Sequence, residues 1–183
     1  MTYVHRLALN VQDFAGKANK KEVKTIKILS LDQSTKLTGY CLISNKKILD
    51  SGVLSVEEAD DKNTVERLKI MKNLISDLIC RVKPDVVFFE DIQFQRNYQT
   101  YKQLAQLQGI IMAYLFQKDI AFVVVPPTKW KSVCGIKGRA REEQKKNTQK
   151  FVLNTYGLNV GEDESDAIGI CHYAINSKYI KQN

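Results

Sequence analysis

Four carboxylates stand where elements of regular structure are expected to stop or start. Asp32 ends an apolar run that begins at Thr25, Glu90 ends the run Val86, Val87, Phe88 and Phe89, and Asp163 and Asp166 open the last helix within an acidic stretch from Glu162. Residues three apart on a helix share a face, and a helix N-terminus favours negative charge, so Asp163 and Asp166 can point at one place. An acidic first turn can simply complement the helix dipole; its coincidence with two strand ends argues for a site. A carboxylate left unpaired at the mouth of a buried strand is costly and calls for a cation, a donor or a proton. Carboxylates gathered within a few ångströms also raise one another's pKa unless a cation compensates. Oxygen-only ligands select a hard ion such as Mg²⁺ or Mn²⁺ over zinc. Two such ions in one site suit phosphodiester chemistry, one orienting and deprotonating a water and the other stabilising the leaving oxygen.

The elements that must position these groups follow from periodicity. Ile26, Ile28, Leu29 and Leu31 predict a buried strand over about 25–32, and Gln33, Ser34 and Thr35 supply turn chemistry after it. Strands over 38–44 and 47–55, broken by Ser44, Asn45 and Lys46, complete a meander. Val65, Leu68, Met71, Leu74, Ile75, Leu78 and Ile79 fall at helical spacing over 63–81, and Lys83-Pro84 ends the helix. A strand over 85–90, a helix over 98–117 and a strand over 119–125 capped by Pro126-Pro127 come next. A polar, basic helix over 138–155 and a final helix over 163–179 close the chain. The order β-β-β-α-β-α-β-α-α predicts an α/β fold, a mixed five-stranded sheet flanked by helices.

The chain has 183 residues, 44% of them hydrophobic, which suffices for one domain with a single sizeable core. Residues 1–24 carry Arg6, Lys17, Lys20, Lys21 and Lys24 against Asp13 and Glu22 and are expected to form a flexible basic arm; residues 25–183 form the domain. A net charge of +8 permits nucleic acid, an anionic membrane surface or an acidic protein as partner. The position of the charge decides between them. Lys129, Lys131, Lys137, Arg139, Arg141, Lys145, Lys146 and Lys150 crowd one segment against Glu142 and Glu143, with Trp130 and Gly138 interleaved, as phosphate-tracking surfaces require. Lys131, just after the last strand, is expected beside the reacting phosphate and in a catalytic role; Lys145, Lys146 and Lys150 are expected to continue outward along a helix. Cys41, Cys80, Cys134 and Cys171 form no Cys-x-x-Cys pair and read as reduced core residues. With no apolar run of about 18 residues and no signal-peptide stretch, a cytoplasmic protein is expected, with no membrane and no small-molecule cofactor. His172 reads as a packed or solvent-facing residue of the last helix, and Tyr98, Tyr101 and Tyr114 as core and dimer surface.

Several motifs in order carry a resemblance. Leu31-Asp32-Gln33-Ser34 with Thr38-Gly39-Tyr40, then Phe89-Glu90, Gln108-Gly109, Pro127 with Lys131, Gly138-Arg139-Ala140, and Asp163 with Asp166-Ala167 resemble the RuvC Holliday-junction resolvases of the RNase H-like superfamily over residues 26–176. The resemblance implies an RNase H-like fold and a homodimer that binds four-way or otherwise branched DNA. The helix over 98–117, with Leu104, Leu107 and Ile111, is the expected partner contact. The resemblance also implies symmetric paired nicks that leave 5′-phosphate and 3′-hydroxyl ends, in recombination and repair. It carries catalytic and metal-binding roles onto Asp32, Glu90, Asp163 and Asp166, with two ions per site.

The chain departs from the family in places. Gln93 holds the position of an aromatic that wedges into the junction, and Phe94 follows it as the candidate DNA contact. A family lysine falls on Glu142, so its role passes to Arg141 or Lys145 or is lost. The basic arm has no counterpart in typical bacterial enzymes, and these departures resemble the phage-borne branch. Competing readings are an RNase H-like nuclease acting on RNA–DNA hybrids or flaps, and a non-catalytic protein that binds DNA structures. The Asp-x-Ser-Thr turn also resembles the phosphate loop of actin-like ATPases, a fold that needs two such domains.

Overall fold

A computed structural model describes residues 25–94, 97–177 and 179–180. The basic arm expected over 1–24 lies outside the described residues. Five strands, β1 (Lys27–Asp32), β2 (Leu37–Ser44), β3 (Lys47–Ser55), β4 (Val86–Glu90) and β5 (Ala121–Val125), form one sheet in the order β3-β2-β1-β4-β5. The first three pair antiparallel, and β1, β4 and β5 run parallel, which is the mixed sheet expected. Asn45 and Lys46, both at positive φ, make the two-residue turn between β2 and β3 whose twist matches that of a hairpin.

Two layers of helix cover the sheet. Helices α1 (Thr64–Val82) and α2 (Tyr98–Gln117) lie on one face; α3 (Pro127–Val133), α4 (Arg141–Tyr156) and α5 (Glu162–Asn176) lie on the other. In α1 a capping box joins Asn63 and Glu66, satisfying two free amide donors at the start of the helix. Its apolar stripe Leu68, Met71, Ile75, Leu78 and Ile79 packs on Leu29, Leu31, Val87 and Phe89. Leu107 and Ile111 of α2, expected to leave apolar surface for a dimer partner, are instead buried in this chain's own core.

Helix α3 was not expected, because Pro126-Pro127 reads as the cap of a strand. Proline is equally suited to the first turn of a helix, where no amide donor is needed, and Pro127 starts α3 there. The final helix ends at Asn176, short of the predicted Tyr179. Cys41, Cys134 and Cys171 are buried as expected, whereas Cys80 is exposed, its thiol 3.2 Å from the Tyr114 hydroxyl. Among the described residues no helix is long and apolar enough to cross a membrane.

Candidate active site

Strand alternation places the first two carboxylates. Side chains two apart on a strand share a face, so Ile28, Ser30 and Asp32 of β1 point one way, and Val86, Phe88 and Glu90 of β4 do likewise. Parallel pairing of Leu31 with Phe89 sets the register, so Asp32 and Glu90 leave neighbouring strands at the same level and on the face covered by α5.

Helix α5 brings the other two. Its first turn lies directly over Gly39, the residue paired with Asp32 across β2, so closely that a Cβ at Gly39 would sit 1.9 Å from the Asp163 carbonyl oxygen. Only glycine admits that approach. The Ser30 hydroxyl, one pleat inside Asp32, donates to the Ala167 carbonyl at 2.6 Å and ties the helix to β1.

A cavity of about 290 Å³ opens at this edge, lined by the carboxylates Asp32, Glu90, Asp91 and Asp166 together with Lys131, Arg141 and Lys145. Asp163 is half-buried and is not among the residues that line the cavity. Arg141, Gln144, Lys145 and Thr148 form one stripe of α4 at helical spacing, and all four line the cavity. Lys131 donates to Gln144 Oε1 at 3.1 Å, and Gln144 in turn donates to the Gly138 carbonyl at 2.9 Å. Helix α3 and the Gly138 turn thus fix the Lys131 ammonium at the edge where the strands end. Lys145 lines the cavity and pairs with Glu162, so it does not belong with the lysines that run outward. Lys129, Lys137, Arg139, Lys146 and Lys150 are exposed outside it. The role displaced by Glu142 is open to Arg141 and Lys145, which line the cavity, whereas Glu142 does not. Phe94 is 82% exposed, its ring 5.8 Å from that of Tyr101. His172 is packed against Phe151 and hydrogen-bonded to the Tyr156 hydroxyl, away from this chemistry.

Burial and mutual repulsion dominate the electrostatics. Desolvation pushes Asp32 well above the ordinary carboxylate range, the charges of Glu90, Asp166 and Asp163 add to the shift, and Lys131 opposes it. Burial raises Glu90 to about 7 against the pull of Trp130 and Lys131, and raises Asp166 to about 6 against Lys131 and Thr148. Asp163 is shifted upward too, again by burial, with Lys145 opposing. Without a further cation all four carboxyl groups hold their protons to higher pH than usual, and Glu90 is about half-protonated near neutrality.

That imbalance tests whether the site suits a metal. Among the described residues, no three His, Cys, Asp or Glu side chains are already closed into a metal-holding group. The donor chemistry fits nonetheless: only oxygen ligands converge, and a hard divalent cation would offset the repulsion that holds their pKa values up.

Sequence reasoning missed several members of this site, among them Asp91, which lines the cavity next to Glu90. Gln33 passed as a turn residue, yet it is buried and donates from Nε2 to the Glu90 main-chain carbonyl at 2.6 Å, while its Oε1 has no hydrogen-bond partner among the described residues. Trp130 read as an aromatic on a phosphate surface but is fully buried beneath the carboxylates. Gln144 and Thr148 drew no notice; their spacing from Arg141 and Lys145 is the signal that could have found them.

Known proteins resemble this chain in sequence and in fold. Residues 28–172 match the family described as crossover junction endodeoxyribonuclease RuvC. A protein of that name from Fusobacterium nucleatum is 31% identical over 159 residues, covering 83% of this chain and 81% of its own. Among solved structures, T. thermophilus RuvC in complex with Holliday junction substrate superposes with a TM-score of 0.65 at 14% identity, over 81% of this chain and 92% of its own. Fowlpox virus resolvase in complex with Holliday junction DNA gives 0.55 at 18% identity, over 84% of this chain and 100% of its own. The structural matches bear on fold alone: this sheet and its flanking helices share the fold of those two proteins. A family match over residues 28–172, together with a relative 31% identical over 83% of the chain, means that this chain belongs to the crossover junction endodeoxyribonuclease RuvC family.

Proposed function

We infer that this chain is a metal-dependent endonuclease that resolves four-way DNA junctions, and that it cuts at the edge where β1, β4 and α5 meet. The observation that carries the reading is the cavity, where strand parity and register bring Asp32 and Glu90 into one lining with Asp166, Lys131, Arg141 and Lys145. Asp32, Glu90, Asp163 and Asp166 would hold two Mg²⁺ ions, with Mn²⁺ able to substitute. Bound there, the ions would supply the charge that activates a water and stabilises the leaving oxygen.

The chain's own side chains account for the rest. Lys131, held by Gln144, presents its ammonium to the phosphoryl oxygens and stabilises negative charge that grows in the transition state. Arg141 and Lys145 clamp the same phosphate from α4. Lys129, Lys137, Arg139 and Lys146, exposed beyond the cavity, follow the phosphates of the duplex arms, and Phe94 offers an exposed ring to the branch. A four-way junction has approximate two-fold symmetry, so paired symmetric nicks call for a homodimer with two sites related by one axis. The exposed Tyr98 and Phe116 of α2 support that helix as the partner contact. Four free thiols fit a cytoplasmic setting.

The test is digestion of a substrate panel comprising four-way junctions, flaps, RNA–DNA hybrids and plain duplex, with Mg²⁺, with Mn²⁺ and with chelator. Paired cuts in the four-way junction that depend on the metal are expected. Preference for hybrids or flaps would move the chain to another RNase H-like activity, and cutting in chelator would remove the metal.

A further inference from the structure

Trp130 is the chain's one tryptophan, and it is fully buried on a seven-residue helix. Its indole N–H donates to Glu90 Oε1 at 2.8 Å. Its six-membered ring fills a notch in α5: a Cβ at Gly169 would come within 2.6 Å of ring Cζ3 and 2.9 Å of Cε3. Gly169 is three residues after Asp166, on the same side of the helix. The Lys131 ammonium lies 5.3 Å from the indole centroid, within range of attraction to the ring face. One rigid side chain therefore touches the strand that supplies Glu90, the helix that supplies Asp166, and Lys131.

A tryptophan buried only for packing has no need of a carboxylate partner, since a backbone carbonyl would satisfy its single donor. Here the donor is aimed at a side chain with rotational freedom. Fixing one oxygen of Glu90 fixes the direction of the other. Partners of metal ligands act in this way: they orient the ligand, and losing one typically weakens metal binding or activity by about 10–100-fold.

We propose that Trp130 is a positioning residue whose indole N–H orients the Glu90 carboxylate for divalent metal, and that Gly169 is the notch that lets it do so. The inference rests on Glu90 being a metal ligand, and the two claims separate by experiment. The metal claim is tested first, by titrating the full-length protein with Mn²⁺ and counting free ion by its EPR signal. Wild-type protein should bind Mn²⁺, with quenching of its single tryptophan, and Glu90→Gln should weaken both. Absence of binding, or binding indifferent to Glu90→Gln, overturns the ligand assignment itself.

The positioning claim is tested by Trp130→Phe and by replacing Trp130 with 3-benzothienylalanine, which keeps the bicyclic shape but carries sulfur in place of N–H. The analogue avoids the cavity that phenylalanine leaves. We expect about tenfold weaker Mn²⁺ binding, and a matching rise in the metal concentration for half-maximal cleavage, with junction affinity in chelator and melting temperature of the analogue protein unchanged. Gly169→Ala, which pushes the ring out of its notch, should shift the metal titration the same way. If the benzothienyl protein binds Mn²⁺ like wild type, the indole N–H has no part in orienting Glu90 and Trp130 is a packing residue.

Discussion

The two faces of the sheet are built on different principles, although the same strands supply both. Toward α1 and α2 the contacts are large and apolar: Leu31, Phe89 and Phe122 meet Met71, Leu107 and Leu115, all fully buried. Toward α5 an apolar cluster that includes Phe88, Val123 and Ile170 is joined by small and directional contacts. Gly39 and Gly169 admit close neighbours, Ser30 donates to the helix backbone, and Trp130 donates to Glu90. Apolar packing is strong but tolerant of small shifts, whereas a hydrogen bond at 2.6 Å, such as that from Ser30, or a missing Cβ specifies position. One face is apolar throughout, and the other adds to its apolar core the contacts that set Asp32, Glu90 and Asp166 around one cavity.

The hardest test of that division is to remove charge from the aligned face. Asp32→Asn and Glu90→Gln should each lower single-turnover cleavage by at least about 10³-fold, because each deletes a group that would hold the metal, while junction binding in chelator persists. Near-normal cleavage by either variant would break the comparison at its centre.

Phe89→Ala attacks the other face through the residue beside Glu90. It should destabilise the protein by about 3–5 kcal/mol, read from urea denaturation, while the fraction that stays folded cleaves at close to the wild-type rate. Loss of rate in molecules still folded would mean that the apolar face aligns the site as well.

Stability against pH gives a smaller signal. Glu90 stands at about 7 against an ordinary 4.5, so the metal-free folded protein holds its proton more tightly than the unfolded chain. That stabilisation is fully present below about 4.5 and is lost as pH rises through about 7, with Asp166, at about 6, adding in the same direction. Glu90→Gln cannot ionise there and should melt roughly 4–8 °C above wild type at pH 8 in chelator, corresponding to about 2 kcal/mol after allowing for solvent in the cavity mouth. The difference should vanish near pH 4. A variant that melts lower at pH 8 would show that the carboxylate stabilises the fold it sits in.

The smallest effects should come from the charged surface, and they sharpen the boundary of the site. Neutralising Lys146 and Lys150, both exposed, should weaken junction binding and reduce its salt dependence by roughly one log-log unit for each phosphate that no longer meets a cation, without changing the rate at saturation. Lys131→Ala should do the reverse, slowing cleavage at saturating DNA. If Lys145→Ala behaves like Lys146→Ala, the cavity ends short of α4.

Much of this was legible in the sequence, because it depends on local periodicity. Short apolar runs bounded by turn residues gave five strands, a 3.6-residue period gave the longer helices, and a carboxylate at the end of an apolar run marked Asp32 and Glu90 before any contact was known. Helix α3 was hidden because Pro127 serves a strand end and a helix start equally well, and seven residues are too few to show a period. Gln33 and Gln144 were hidden because a glutamine on a turn or a polar helix has no pattern that separates it from solvent-facing neighbours.

The sequence by itself determined which side chains bear charge, which strands end on carboxylates, and that positive charge gathers between Lys129 and Lys150. Only the tertiary structure decided which of them meet. Whether Asp32 and Glu90 share a face depends on the parallel register between β1 and β4, and a shift of one residue would send them to opposite sides. Whether Asp166 joins them depends on how close α5 can come, which Gly39 and Gly169 set by what they lack. The division between Lys145 and Lys146 turns on the angle of about 100° between successive helix positions and on which side of α4 is packed. These are relations between segments distant in the chain, fixed by packing, so no single stretch of residues carries them.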